Sequence, residues 1–135
     1  MPFTICIIDD DLVSQFATRY CVQQYFTDLD IVACDSGEEG LSFCSGFFED
    51  KKQLPDSIFL DLVMQGMDGW TFLDELKQTY GKIKLPKVYV LSAFVNANDR
   101  AVAKKHPLIS GYFDKPLSRN HLQGIFIEQG KGNMI

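Results

Sequence analysis

SIFLDLVMQGMDGW, residues 57–70, decides the fold. Its apolar run SIFL lacks the alternation of a half-exposed strand and reads as a strand buried on both faces, closed by Asp61. The turn QGMDG follows. Asp68 is then placed to cap a helix in which Phe72, Leu73, Leu76 and Tyr80 face inward. A buried strand, a tight polar turn and an amphipathic helix together make one unit of a parallel α/β sheet.

The same unit recurs on either side. Strands are expected near 3–8, 30–34, 57–61, 87–92 and 109–113, and helices near 11–26, 37–50, 69–80, 97–105 and 119–128. Alternation of this kind predicts a doubly wound parallel sheet with helices on both faces. The right-handed crossover rule removes most other topologies. In the first helix Leu12, Phe16, Ala17, Tyr20 and Cys21 form an apolar stripe at helical spacing. Ser36 with Glu39 makes a capping box, and Leu41, Cys44, Phe47 and Phe48 continue that helix's buried face. Ser118 caps the fifth helix, with Leu122, Ile125 and Phe126 inward. The fourth helix offers only Ala101, Val102 and Ala103 before Pro107, so it is expected to be among the more mobile elements. EDKKQLPD (49–56) reads as a solvated connection and EQGKGNMI (128–135) as a frayed tail.

A chain of 135 residues is expected to be a single domain, residues 1–135. A hydrophobic fraction of 46% and mean hydropathy of -0.04 fit a soluble globular protein. The net charge of -5 argues against sequence-independent nucleic-acid binding. No apolar run approaches the roughly 20 residues that span a bilayer, and MPFTICIIDDD lacks a signal peptide's basic start, so a cytoplasmic protein is expected. Cys6, Cys21, Cys34 and Cys44 make no C-x-x-C pair and stand apart from His106 and His121. They read as reduced, buried small hydrophobes rather than zinc ligands.

Chemistry gathers where the strands end. Asp9-Asp10, Asp61, Ser92 and Lys115 each close an apolar run, and functional groups collect at the carboxyl ends of parallel strands. Carboxylates this close repel by about 4 kcal/mol per pair at 4 Å and an effective dielectric of about 20. A cation relieves that repulsion, and oxygen ligands beside phosphate chemistry favour Mg²⁺. Asp11 reads instead as a helix cap. Asp61 is the expected nucleophile, forming an acyl phosphate. Lys115 is a compact charge suited to a phosphoryl oxygen or to an ion pair with Asp61, and Ser92 is a rotatable hydroxyl donor. Lys115-Pro116 is a possible cis bond, which spacing alone does not establish.

IIDDD (7–11), FLDLVMQGMDGW (59–70), VLSA (90–93) and GYFDKP (111–116), in this order and spacing, resemble the receiver domain of two-component response regulators, in particular stand-alone, chemotaxis-regulator-like receivers. The resemblance covers roughly residues 3–128. It implies a flavodoxin-like (βα)5 sheet of strand order 2-1-3-4-5. It also implies Asp61 as phosphoacceptor, Ser92 and Tyr112 as switch residues and Lys115 as the phosphoryl-binding lysine. Mg²⁺ would be held by Asp10, Asp61 and the Val63 backbone carbonyl, with Asp9 acting largely through a coordinated water. The implied function is a phosphorylation-activated switch that catalyses only its own phosphorylation and dephosphorylation. Its phosphodonor would be a sensor histidine kinase or histidine phosphotransfer protein, and its altered surface would bind a downstream protein. The alternative within the family is an intermediate carrier in a phosphorelay.

Two departures stand out. Gln65 replaces the family's usual proline and is expected to loosen the loop after Asp61. His106-Pro107 replaces a turn of small residues. Two rivals of other classes read the same residues differently. A haloacid dehalogenase-like Mg²⁺ phosphatase would use Asp9 and Asp11 as a D-x-D pair, but leaves Asp61 without a task. A flavodoxin-like cofactor binder needs a phosphate-cradling loop where DDDLVSQ is acidic.

Overall fold

The computed structural model describes residues 3–93 and 96–129, with side chains described through Ile125. Among the described residues ten elements alternate: β1 (Phe3–Ile8), α1 (Leu12–Tyr25), β2 (Leu29–Cys34), α2 (Gly37–Lys51), β3 (Ser57–Leu60), α3 (Gly69–Tyr80), β4 (Lys87–Ser92), α4 (Ala97–Lys105), β5 (Ile109–Asp114) and α5 (Arg119–Gln129). The strands form one sheet of order β2-β1-β3-β4-β5, and every pairing is parallel. This is the flavodoxin-like topology that the resemblance implied, and it has the parallel sheet that the alternation predicted.

Strand periodicity divides the core. Ile5, Ile7, Phe59, Tyr89 and Leu91 face one way and pack with Val22 and Tyr25 of α1 and Leu122 and Ile125 of α5. Cys6, Ile8, Ile58, Leu60 and Val88 face the other way and pack with Cys44 of α2 and Phe72, Leu73 and Leu76 of α3. β3 is buried along its whole length, as its unalternated apolar run requires. Leu41, Phe47 and Phe48 of α2 and Tyr80 of α3 are half-buried. Phe126, expected inward, lies outside the residues whose side chains are described. The tail expected from Glu128 begins inside α5, and its part beyond Gln129 lies outside the described residues. Among the described residues no helix is long and apolar enough to cross a membrane.

Of the α1 stripe only Cys21 packs against this core; the rest turns away from it. Leu12 (68%), Val13 (78%), Phe16 (71%) and Tyr20 (57%) are exposed, and Thr18, Val22 and Tyr25 are the residues the helix buries. At 100° per residue, positions 18, 22 and 25 share one side of the helix and positions 12, 16 and 20 the opposite side. The sheet covers the first set.

Register positions the functional groups. Ile8 pairs with Leu60, so Asp9 and Asp61 leave neighbouring strands at one level. Three ladder bonds continue past the strands: the amide of Asp9 donates to the Cys34 carbonyl, that of Asp61 to Ile8, and that of Lys115 to Ser92. Helix caps form as expected: Asp11 accepts from the amide of Val13, Ser36 from Glu39, Asp68 from Thr71 and Ser118 from His121. Gly69 is required where α3 starts beneath the site, because a Cβ there would meet Leu62 Cα at 2.8 Å and the Asp61 carbonyl oxygen at 2.9 Å. All four cysteines are free thiols; Cys6, Cys34 and Cys44 are buried and Cys21 is half-buried.

Candidate functional site

At the carboxyl end of the sheet, Asp9, Asp10 and Asp61 each present an oxygen, and these atoms lie within 4.8 Å of one another. Asp9 and Asp61 are buried at 3% and 8% exposure, and Asp10 is exposed. Lys115 bridges the buried pair, with Nζ 2.7 Å from Asp9 Oδ2 and 3.1 Å from Asp61 Oδ2. Lys115 follows β5 at a cis bond to Pro116.

Each carboxylate is held differently. Asp9 Oδ1 accepts the Asp11 amide at 2.9 Å, and its Oδ2 accepts the Ser14 hydroxyl at 2.6 Å. Asp61 Oδ1 accepts the Val63 amide at 3.1 Å. Asp10 Oδ2 accepts the Gln65 amide at 3.0 Å. Burial pushes the Asp61 carboxyl above its ordinary range, against the lowering effect of the Val63 amide and of Lys115. Burial alone would lower the Lys115 ammonium, but its hydrogen bonds and charge contacts with Asp9 and Asp61 leave it raised. The ammonium therefore stays protonated beside two acids, and Asp61 pays a desolvation cost for its charge.

Ser92 ends β4 and is buried. Tyr112 lies on the neighbouring strand, with its ring half-buried and its hydroxyl enclosed, and burial raises its pKa. The guanidinium of Arg100 sits 5.4 Å from the Tyr112 ring centroid and 3.1 Å from Asp114 Oδ1. α4 buries only Ala103, in line with its thin apolar pattern, so Arg100 is a principal tie between α4 and β5. Replacing Arg100 by Ala is expected to speed α4 amide exchange by about fivefold, leaving α3 exchange unchanged; equal rates in α4 would show that the tie does not hold the helix.

Asp9, Asp10, Asp61 and Lys115 are therefore brought together as the sequence predicted, with Ser92 and Tyr112 on the adjoining strands. Two contributors, Ser14 and Gln15, had no sequence signal that singled them out. Ser14 hydrogen-bonds Asp9. Gln15 Nε2 donates to the Asp9 carbonyl at 2.6 Å and the Cys34 carbonyl at 3.2 Å, fastening α1 to two strand ends. Gln65, at the position of the family's usual proline, has a backbone amide that donates to Asp10. The donor set fits a hard divalent cation: oxygen atoms only, converging, with carboxylate lone pairs still free beyond the hydrogen bonds they accept.

A five-stranded parallel sheet with an acidic, lysine-closed cleft at its carboxyl edge defines a class of signalling domain. The family model for the response regulator receiver domain matches residues 5–126, and the chain belongs to that family. It is similar in structure to a two-component response regulator from Cytophaga hutchinsonii, with a TM-score of 0.84, 24% identity and coverage of 93% of this chain and 94% of that one. It is also similar to the Mn(2+)-bound form of response regulator Rcp1, with a TM-score of 0.70, 25% identity and coverage of 93% and 92%. In sequence it is 26% identical over 120 residues to the sensor histidine kinase CheAY of Helicobacter pylori; the match takes in 89% of this chain and 14% of that protein.

Proposed function

We propose that this chain, as a single receiver domain over residues 1–135, is a phosphorylation-activated signalling switch whose phosphoacceptor is Asp61. The observation that carries the reading is the position of Asp61: buried, 3.1 Å from the Lys115 ammonium and converging with Asp9 and Asp10. An Asp61 oxygen attacks the phosphorus of a phosphohistidine. The N–P bond breaks, and the imidazole leaves with the electron pair. Asp9, Asp10, Asp61 and the Val63 carbonyl are the groups that would hold Mg²⁺, which when bound supplies positive charge for the phosphoryl oxygens. The Mn(2+)-bound relative supports a divalent cation here.

Lys115 then exchanges its Asp61 contact for a phosphoryl oxygen. Ser92 donates its hydroxyl to another, and Tyr112 follows into the space Ser92 leaves. The phosphoryl group biases the switch because these contacts exist in one state only. The chain catalyses only its own phosphorylation and reset, in the cytoplasm. Lys115→Ala is expected to accept phosphate within about tenfold of the wild-type rate yet to lose most phosphate-dependent target binding; normal target binding by this variant would remove Lys115 from the switch.

The donor is a sensor histidine kinase or histidine phosphotransfer protein. We place it on the exposed apolar side of α1, because Val13 and Ala17 also line a groove of about 250 Å³ with Ser14, Lys115 and Pro116. One groove thus holds both the exposed Val13 and the lysine that contacts Asp61. Within this reading the chain either hands its signal to a downstream protein or passes its phosphate on in a relay. Rapid back-transfer to a phosphotransfer protein indicates the relay, and phosphate-dependent binding to a partner that takes no phosphate indicates the regulator.

A further inference from the structure

The loop between β3 and α3 makes two main-chain bonds to the acidic cluster. The Val63 amide holds Asp61 at 3.1 Å, and two residues on, the Gln65 amide holds Asp10 at 3.0 Å. One short segment thus clips two carboxylates that come from different strand ends. Gly66 follows at φ +75°, a left-handed conformation that lets the chain turn away at once towards α3. Val63 and Gln65 point their own side chains into solvent, so the contacts belong to the backbone.

Asp10 is the exposed member of the trio, and without a partner its carboxylate would sample several rotamers. A charge-assisted bond from an ordered amide selects one of them. The bond uses one of roughly four lone-pair directions of the carboxylate and leaves the rest for a cation. Fixing a ligand before the metal arrives removes an ordering cost from binding. Only a residue with an N–H serves at position 65, and proline has none.

We infer that the Gln65 amide is a positioning group that presets Asp10 for a divalent cation and ties the β3–α3 loop to cation binding. The inference rests on the proposed metal site, and its test separates the two. In metal-free protein, exchange of the Gln65 amide is measured by NMR in wild type and in Asp10→Ala. Exchange at least about tenfold faster in the variant is expected, with the Gly69 amide, bonded to the Leu62 carbonyl, unchanged as a control for folding. Binding of Mg²⁺ alone is then measured by calorimetry. Gln65→Pro is expected to weaken it by about tenfold, the lower range for loss of a group that orients a ligand. Gln65→Ala, which keeps the N–H, is expected to stay within about twofold of wild type. Equal Gln65 exchange in Asp10→Ala, or Mg²⁺ binding by Gln65→Pro equal to wild type, overturns the inference; so does an equal loss in Gln65→Ala. A wild type that binds no Mg²⁺ overturns the metal reading and the coupling with it, and the exchange result then shows whether the tie itself exists.

Discussion

Asp61→Asn gains no phosphoryl group from a small acyl phosphate and Mg²⁺, under conditions in which the wild-type chain gains one by intact mass. The expected loss in rate is about three orders of magnitude or more, because the variant removes the attacking oxygen's charge and nucleophilicity together. A small donor needs no docking surface, so the result isolates the cleft. A wild-type gain that persists without Mg²⁺ argues against the cation's part, and a gain retained in Asp61→Asn moves the acceptor elsewhere. The same variant carries a second signature. Burial raises the Asp61 carboxyl, so the folded state holds that proton more tightly than the unfolded chain does. Stability therefore falls as pH rises from the unfolded pKa through the folded one, and the cost is fully present above the folded pKa. Asparagine carries no such cost, and Lys115 keeps Asp9 at 2.7 Å. Metal-free Asp61→Asn should melt a few degrees above wild type at pH 7, and the gap should close as pH falls below the unfolded carboxylate range.

The frame of the molecule was legible because its signals are redundant. Each strand is an apolar run bounded by turn residues, and each helix opens on a capping side chain, so element boundaries agree within a residue or two. The cleft was legible for a related reason: Asp9, Asp61, Ser92 and Lys115 end strands, and parallel pairing brings strand ends together. Ser14 and Gln15 were not legible, since a polar residue in the first turn of a helix reads as solvated surface until its neighbours are known. The Gln65 contact was hidden more completely. Side-chain patterns are silent about backbone amides, and only the missing proline marked the position.

Phe16→Asp is expected to slow phosphoryl transfer from a phosphohistidine protein by about thirtyfold or more while leaving labelling by a small acyl phosphate unchanged. The α1 stripe explains why. A period of 3.6 identifies an apolar face but not what covers it, and here the chain's own sheet takes Thr18, Val22 and Tyr25, leaving Leu12, Val13, Phe16 and Tyr20 in water. An uncovered cluster of this kind marks a partner surface. A donor must bring its imidazole to Asp61, so its surroundings must rest on the rim of the cleft, and among the described residues α1 carries the largest exposed apolar cluster. A large aromatic side chain near the centre of such a contact is the type whose loss costs about 2 kcal/mol or more, or about thirtyfold. Phe16 is 71% exposed, so the charge is introduced without opening the core, and thermal melting should match wild type. Two lesser substitutions grade the effect: Phe16→Leu should retain most transfer, and Glu49→Lys, on the exposed end of α2, should retain all of it. Transfer from the protein donor at the wild-type rate in Phe16→Asp would move the docking surface off α1. A parallel fall with the small donor would instead place Phe16 in the upkeep of the cleft, acting through Ser14 and Gln15 on the same helix.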